Sequence, residues 1–245
     1  MKIEIFEDAA ELGKAAGKRA AEKIKETINS KGEANIILAT GTSQFPVLNI
    51  LTEDASIDWG RVNMFHLDEY IGIPISHKAS FRKYLTERFL DRVSPLKSFH
   101  LINGENEPTA ECERLNTLIR QVNIDLALVG IGENGHLAFN DPPADFDTTD
   151  PYIVVALDEA CRKQQWGEGW FESMEAVPQK AISMSIHQIM QSNEIICSVP
   201  DERKAFAVHN CLNGAVSNFF PASILQNHSN CTVLLDKHSA SLLKK

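Results

Sequence analysis

The chain has 245 residues, 43% of them hydrophobic and 23% charged, with a formal net charge of −9. That length suits one sizeable core, residues 1–245 as a single α/β domain, the charge disfavours nucleic acid as a partner, and no apolar run approaches the roughly 20 residues that span a bilayer. The N-terminal stretch is charged throughout, without a signal-peptide core, so a cytoplasmic location is expected, and the five scattered cysteines lack the spacing of a disulfide framework or a zinc site.

Residues 7–30 read as an amphipathic helix, with Ala9, Leu12, Ala16, Ala20, Ile24 and Ile28 near helical spacing and Lys31-Gly32 to end it. Ala34 to Ala39 is a short buried strand, followed by Thr40-Gly41-Thr42-Ser43-Gln44 and a helix from Phe45 to Leu51. Val62 to Leu67 is a second strand that runs into Asp68-Glu69-Tyr70, and Ser80 caps a helix over 80–91. A helix over Thr109 to Gln121 leads to the strand Ile124 to Val129. Beyond it, Tyr152 to Leu157 is a strand, Lys180 to Met190 a strand passing into a helix, Ile195 to Val199 a strand, Asp201 to Cys211 a helix and Thr232 to Leu235 a last strand. Strands alternating with helices predict a mostly parallel open sheet, Rossmann-like, covered by helices on both faces.

The segment after Val129 carries the densest chemistry. Gly130, Gly132 and Gly135 let the backbone turn tightly and approach a ligand, and they deliver His136 among Asn134, Asn140 and Asp141. Its GxGxxG spacing is not a dinucleotide fingerprint, because the acid expected about 20 residues on is missing near Tyr152 to Val155.

Three other strand ends should share the same sheet edge. Thr40, Gly41, Thr42 and Ser43 offer hydroxyls and N–H groups at the mouth of a helix, either a phosphate cradle or an ordinary capped turn. Asp68 and Glu69 offer a general base or a solvated acidic turn. Adjacent strand residues face opposite ways, so at most one enters a pocket. Lys204 lies in the first turn of a helix, where a cation either helps to hold phosphate or is simply solvated. Together the parts suggest chemistry on a small sugar phosphate.

The chain resembles the glucosamine-6-phosphate deaminase (isomerase) family, whose fold is shared with the 6-phosphogluconolactonases. The resemblance rests on Asn63-Met-Phe-His-Leu-Asp-Glu-Tyr70, Ser80-Phe-Arg-Lys-Tyr84 and Gly130-Ile-Gly-Glu-Asn-Gly-His-Leu-Ala-Phe-Asn140, in the right order along the chain. It implies an aldose–ketose isomerisation coupled to loss of the C2 amine, giving fructose 6-phosphate and ammonia. By position, Asp68 matches the base that carries a proton between C1 and C2, and His136 the residue that opens the pyranose ring. Asn134 and Asp141 attend the histidine, while Thr40–Ser43 and Lys204 match the phosphate site. No metal or cofactor is implied, and homo-oligomerisation stays open.

Three departures stand out. Asn134 occupies a position that is aspartate in some members, and Asp141 replaces a glutamate that is one methylene longer. The phosphate-binding arginine expected shortly before a phenylalanine has no counterpart in Arg162-Lys-Gln-Gln-Trp-Gly-Glu-Gly-Trp-Phe171, where Arg162 and Lys163 come too early. Trp166 and Trp170 can line an altered pocket or pack in a core. The competing readings are a lactone hydrolase on the same fold and a sugar-phosphate sensor without turnover. The Asp-Glu-Tyr segment counts against the first, and retention of Asp68 and His136 against the second.

Overall fold

The computed structural model describes residues 1–243. In chain order, β1 (Lys2–Phe6) is followed by α1 (Ala9–Lys31), β2 (Ala34–Leu38), α2 (Phe45–Glu53), β3 (Val62–His66), β4 (Asp68–Tyr70), α3 (Phe81–Arg88), β5 (Ser98–His100), α4 (Pro108–Ile119) and β6 (Leu126–Val129). The second half adds β7 (Tyr152–Ala156), α5 (Glu159–Gly167), β8 (Lys180–Met184), α6 (Ile186–Met190), β9 (Ile195–Val199), α7 (Ala205–Asn213) and β10 (Cys231–Asp236).

Local sequence explains the boundaries of the long helix. Asp8 caps α1 by accepting from the Ala10 and Glu11 N–H groups, and Gly32 ends it at φ 89°, donating its N–H to the Ile28 carbonyl. Its buried stripe is Leu12, Ala16, Ala20, Ile24 and Ile28, the spacing read from the sequence.

Seven strands form one all-parallel sheet in the order β1-β10-β9-β6-β2-β3-β5. Strand periodicity divides its side chains between two cores. Ile36, Leu38, Met64, Leu128 and Ile196 pack under α1, α2 and α3, whereas Ile37, Phe65, Ala127, Val129 and Cys197 face α4, α6 and α7. All five cysteines are buried and unpaired. Among the described residues no helix is long and apolar enough to cross a membrane.

The structure departs from the sequence expectation in four places. β1 is an additional edge strand, alternating charged and apolar residues, that pairs with β10. β5 is a three-residue strand unassigned from the sequence, pairing with β3 at the other edge of the sheet. The strands at Tyr152 and Lys180 do not join the parallel sheet. They pair antiparallel with each other, and β8 pairs with β4, in a separate sheet of order β4-β8-β7. Alternating burial along β7 is the mark of a strand with one solvated face. The third addition is α5, capped by the Asp158 carboxylate accepting from the Cys161 N–H.

α1 approaches α2 so closely that a Cβ at Gly17 would lie 2.5 Å from Ile50 Cβ and 3.0 Å from the Val47 carbonyl oxygen. Alanine is preferred over glycine inside a helix by about 1 kcal/mol, but overpacking costs about 1–3 kcal/mol. Gly17→Ala is therefore expected to destabilise the fold in urea unfolding. A gain in stability would show that the two helices are free to move apart.

Candidate active site

From β2 the chain winds to one side of the sheet through β3 and β5, and from β6 to the other through β9 and β10. β2 and β6 are neighbours, so the loops that follow them diverge and open a crevice at the carboxyl edge. A cavity of about 510 Å³ occupies this position, the size of a small-molecule site. Its walls include Thr40–Ser43, Asp68, His136 and Lys204, so all the expected strand ends meet there.

β4 separates two adjacent carboxylates. Glu69 is fully buried and turns away from the cavity, accepting from Ser80 Oγ at 2.8 Å and from the Tyr70, Phe81 and Arg82 N–H groups at 2.9, 3.2 and 2.9 Å. It thus fastens the first turn of α3 to β4. Burial still holds its pKa above the ordinary value against these hydrogen bonds. Asp68 points into the cavity, and among the described residues its carboxylate has no hydrogen-bond or ion-pair partner. Burial pushes its pKa well above the usual carboxylate range, and the Glu69 and Asp141 charges push the same way. His66 turns into the core, where its Nε2 accepts from the Ile102 N–H at 2.8 Å and burial holds its pKa down at about 3.

The histidine loop is a tight bonded turn. Gly132 donates its N–H to the His136 carbonyl, and Gly135 donates to the Gly132 carbonyl, each at 3.0 Å. A Cβ at Gly132 would lie 2.2 Å from His136 Nε2, so only glycine lets the ring rest on the turn. Asn134 Oδ1 accepts the His136 N–H at 3.0 Å. The ring Nδ1 lies 3.0 Å from Asp141 Oδ1, so the shorter acid does reach the imidazole.

Asp141 also accepts from Asn134 Nδ2 at 3.0 Å and from the Asp158 N–H at 2.9 Å. Burial alone would raise its pKa, but the His136 contact and these donors bring it below the ordinary value. Ionised, Asp141 takes the Nδ1 hydrogen and leaves Nε2 as the free ring nitrogen. Asn134 and Asp141 lie behind the cavity wall and orient the ring. Asn140, expected near the ring, instead donates to the Leu137 and Met184 carbonyls, each at 2.8 Å, and ties the loop to β8.

The opposite end of the cavity is suited to an anion. Gly41 adopts φ 99°, and Tyr84 anchors the loop by donating its hydroxyl to the Gly41 carbonyl at 2.8 Å. Among the described residues no acceptor meets the Thr42 and Ser43 N–H groups, which precede α2. Lys204 is only 9% exposed, and its Nζ has no ion-pair or hydrogen-bond partner among the described residues. Burial holds its pKa below the usual lysine value. The turn that delivers it contains Asp201 at φ 90°, a strained conformation for a residue with a side chain.

The α5 segment supplies wall residues that the sequence reading did not assign: Gln164, Gln165 and Glu168 line the cavity with Trp170. Trp166 is 47% exposed and takes no part. Arg162 donates to the Met174 carbonyl, and Lys163 pairs with Glu159, so neither supplies the missing arginine. Among the described residues His136, Asp141 and Cys161 bring potential metal-ligand atoms within 4.8 Å of one another. Asp141 is already committed to three N–H donors and Cys161 is buried, so the trio reads as a hydrogen-bonded cluster.

Comparison with known proteins places this geometry. The family profile described as glucosamine-6-phosphate isomerases/6-phosphogluconolactonase matches residues 7–234. A glucosamine-6-phosphate deaminase of Lactobacillus delbrueckii subsp. bulgaricus is 36% identical over 245 residues, 100% of both chains. A solved structure described as a monomeric glucosamine-6-phosphate deaminase superposes with a TM-score of 0.89 at 33% identity, covering 99% of this chain and 100% of that one. A 6-phosphogluconolactonase from Thermotoga maritima gives a TM-score of 0.79 at 18% identity, over 96% of this chain and 98% of its own, a likeness of fold alone.

An unpaired buried carboxylate weakens the fold. Because the folded pKa of Asp68 is raised, its contribution to stability is complete below the unfolded value of about 3.9 and is lost as pH rises through the folded value. Asp68→Asn is therefore expected to raise the melting midpoint near neutral pH by about 2–4 °C, with the gain vanishing toward pH ~4. A variant less stable than the parent at every pH would show that the carboxylate is satisfied.

Proposed function

The chain belongs to the glucosamine-6-phosphate isomerase/6-phosphogluconolactonase family, and from that premise we propose that it converts glucosamine 6-phosphate, or a close hexosamine phosphate, to fructose 6-phosphate and ammonia. The observation that carries this reading is the unpaired Asp68 carboxylate. It shares one cavity with the His136 ring and with an anion cradle that holds an unpartnered lysine. The full-length deaminase relatives support the same reaction.

In this reading the phosphate rests on the Thr42 and Ser43 N–H groups and on Lys204, which fixes the sugar ring over Asp68 and His136. His136 Nε2 takes the proton of the C1 hydroxyl and passes it to the ring oxygen as the pyranose opens, and the Asp141 carboxylate stabilises the transient charge on the imidazole. Asp68 removes the proton from C2 to give an enolamine and returns a proton to C1, leaving an imine at C2. Water adds at C2 and ammonia departs, so the ketose forms with atoms balanced. The chemistry is proton transfer and hydrolysis, and no cofactor is assigned to it. A raised pKa suits a base that must both take and return a proton.

Lactone hydrolysis on this fold would leave Asp68 without a task. The two reactions separate in one experiment, in which ammonia release from glucosamine 6-phosphate and hydrolysis of 6-phosphogluconolactone are measured side by side. Asp68→Asn should lower ammonia release by about 10²–10⁴-fold. Since the base works ionised, the acid limb of kcat/KM should lie above the ordinary carboxylate range and disappear in the variant. Unimpaired ammonia release by Asp68→Asn would remove the assigned base, and lactone turnover without ammonia would replace the reaction.

A further inference from the structure

The cavity is short of positive charge for the ligand just described. Among the described residues, Asp68, Glu168, Asp201, Glu202 and Asp236 line it against only Arg203 and Lys204. Glu133 lies close enough to act on Lys204, as does Glu168. A phosphate dianion entering such a space meets repulsion from several sides, and a single lysine on a flexible stem is a weak counterweight.

Arg203 is the other cation on that wall, and its surroundings hold it ready. Its Nε and Nη2 approach Asp201 Oδ2 at 3.1 and 2.8 Å, which fixes one edge of the guanidinium. Nη1, on the far side, faces Glu133 Oε1 at 3.6 Å, an ion-pair contact too long for a good hydrogen bond. The side chain is about half exposed at the cavity rim. Asp201 caps the turn separately, through its Oδ1 and the Arg203 N–H at 2.9 Å, so the turn does not depend on the guanidinium.

We propose that Arg203 is a phosphate-binding, specificity-determining residue. Its free edge exchanges the long contact with Glu133 for a charge-assisted pair of hydrogen bonds to the phosphate of the substrate. Glu133 competes for the same guanidinium and keeps it neutralised in the empty site. Arg203 and Lys204 then bracket the dianion and offset the carboxylates around it. This inference rests on the sugar-phosphate reading above.

The test reads phosphate binding and turnover separately, on wild type, Arg203→Gln, Arg203→Lys and Glu133→Gln. Affinity for inorganic phosphate is measured by calorimetry, and steady-state constants with glucosamine 6-phosphate. Arg203→Gln should weaken phosphate binding and raise KM, each about tenfold, with kcat falling less than threefold. Arg203→Lys should recover part of the loss, because a point charge lacks the paired donors. Glu133→Gln should tighten phosphate binding by about two- to threefold, the scale of an exposed charge contact.

Unchanged phosphate affinity in Arg203→Gln would overturn the inference, as would a fall in kcat and melting temperature with KM unmoved. Weakened phosphate binding in a protein that releases no ammonia would support Arg203 while removing the deaminase reading. Normal ammonia release with unchanged phosphate affinity would do the reverse.

Discussion

The site depends on β4 holding two neighbouring carboxylates on opposite faces. Glu69 collects four hydrogen bonds from the start of α3 and its own strand, which add to the pairing with β8 in holding a three-residue strand. Strand periodicity then leaves Asp68 facing the cavity with no partner. One acid is committed to structure and the other is left free to face a ligand. The arrangement accepts a local loss of stability in return for a carboxylate with a raised pKa.

Much of this was legible in the sequence, because most elements that build the main sheet are strongly periodic or largely apolar, the short edge strands β1 and β5 excepted. α1 has a clean stripe and two identifiable caps, and β2, β3, β6 and β9 are short runs buried on both faces. The meeting of Thr40–Ser43, Asp68, His136 and Lys204 follows from parallel strands ending at one edge. The second sheet was not legible, since β4 is only three residues long and β7 and β8 pair antiparallel across a long separation in sequence. Nothing in a strand's own composition identifies its partner.

The site also shows where spacing misleads. Asn140 sits beside the histidine in sequence, yet it bonds to β8. Asp141 looks too short for its role, yet it reaches the ring because the backbone between them folds back through Ala138 at φ 54°. Sequence distance constrained which residues were available, and the turn geometry decided which of them touched. The basic residues of α5 face other partners, whereas its glutamines and Glu168 enter the wall. A helical face of that kind is decided by tertiary packing.

One amide joins the histidine turn to α5. Asn134 Nδ2 donates to Asp141 and, at 3.1 Å, to Asp158, the residue that caps α5. Gln164 Oε1 adds a second link by accepting the Glu133 N–H at 3.1 Å. The rim bearing Trp170 and the loop that holds the imidazole are therefore tied to each other directly. Any displacement of that rim must break these bonds or carry strain to the Asn134–Asp141 pair behind the imidazole.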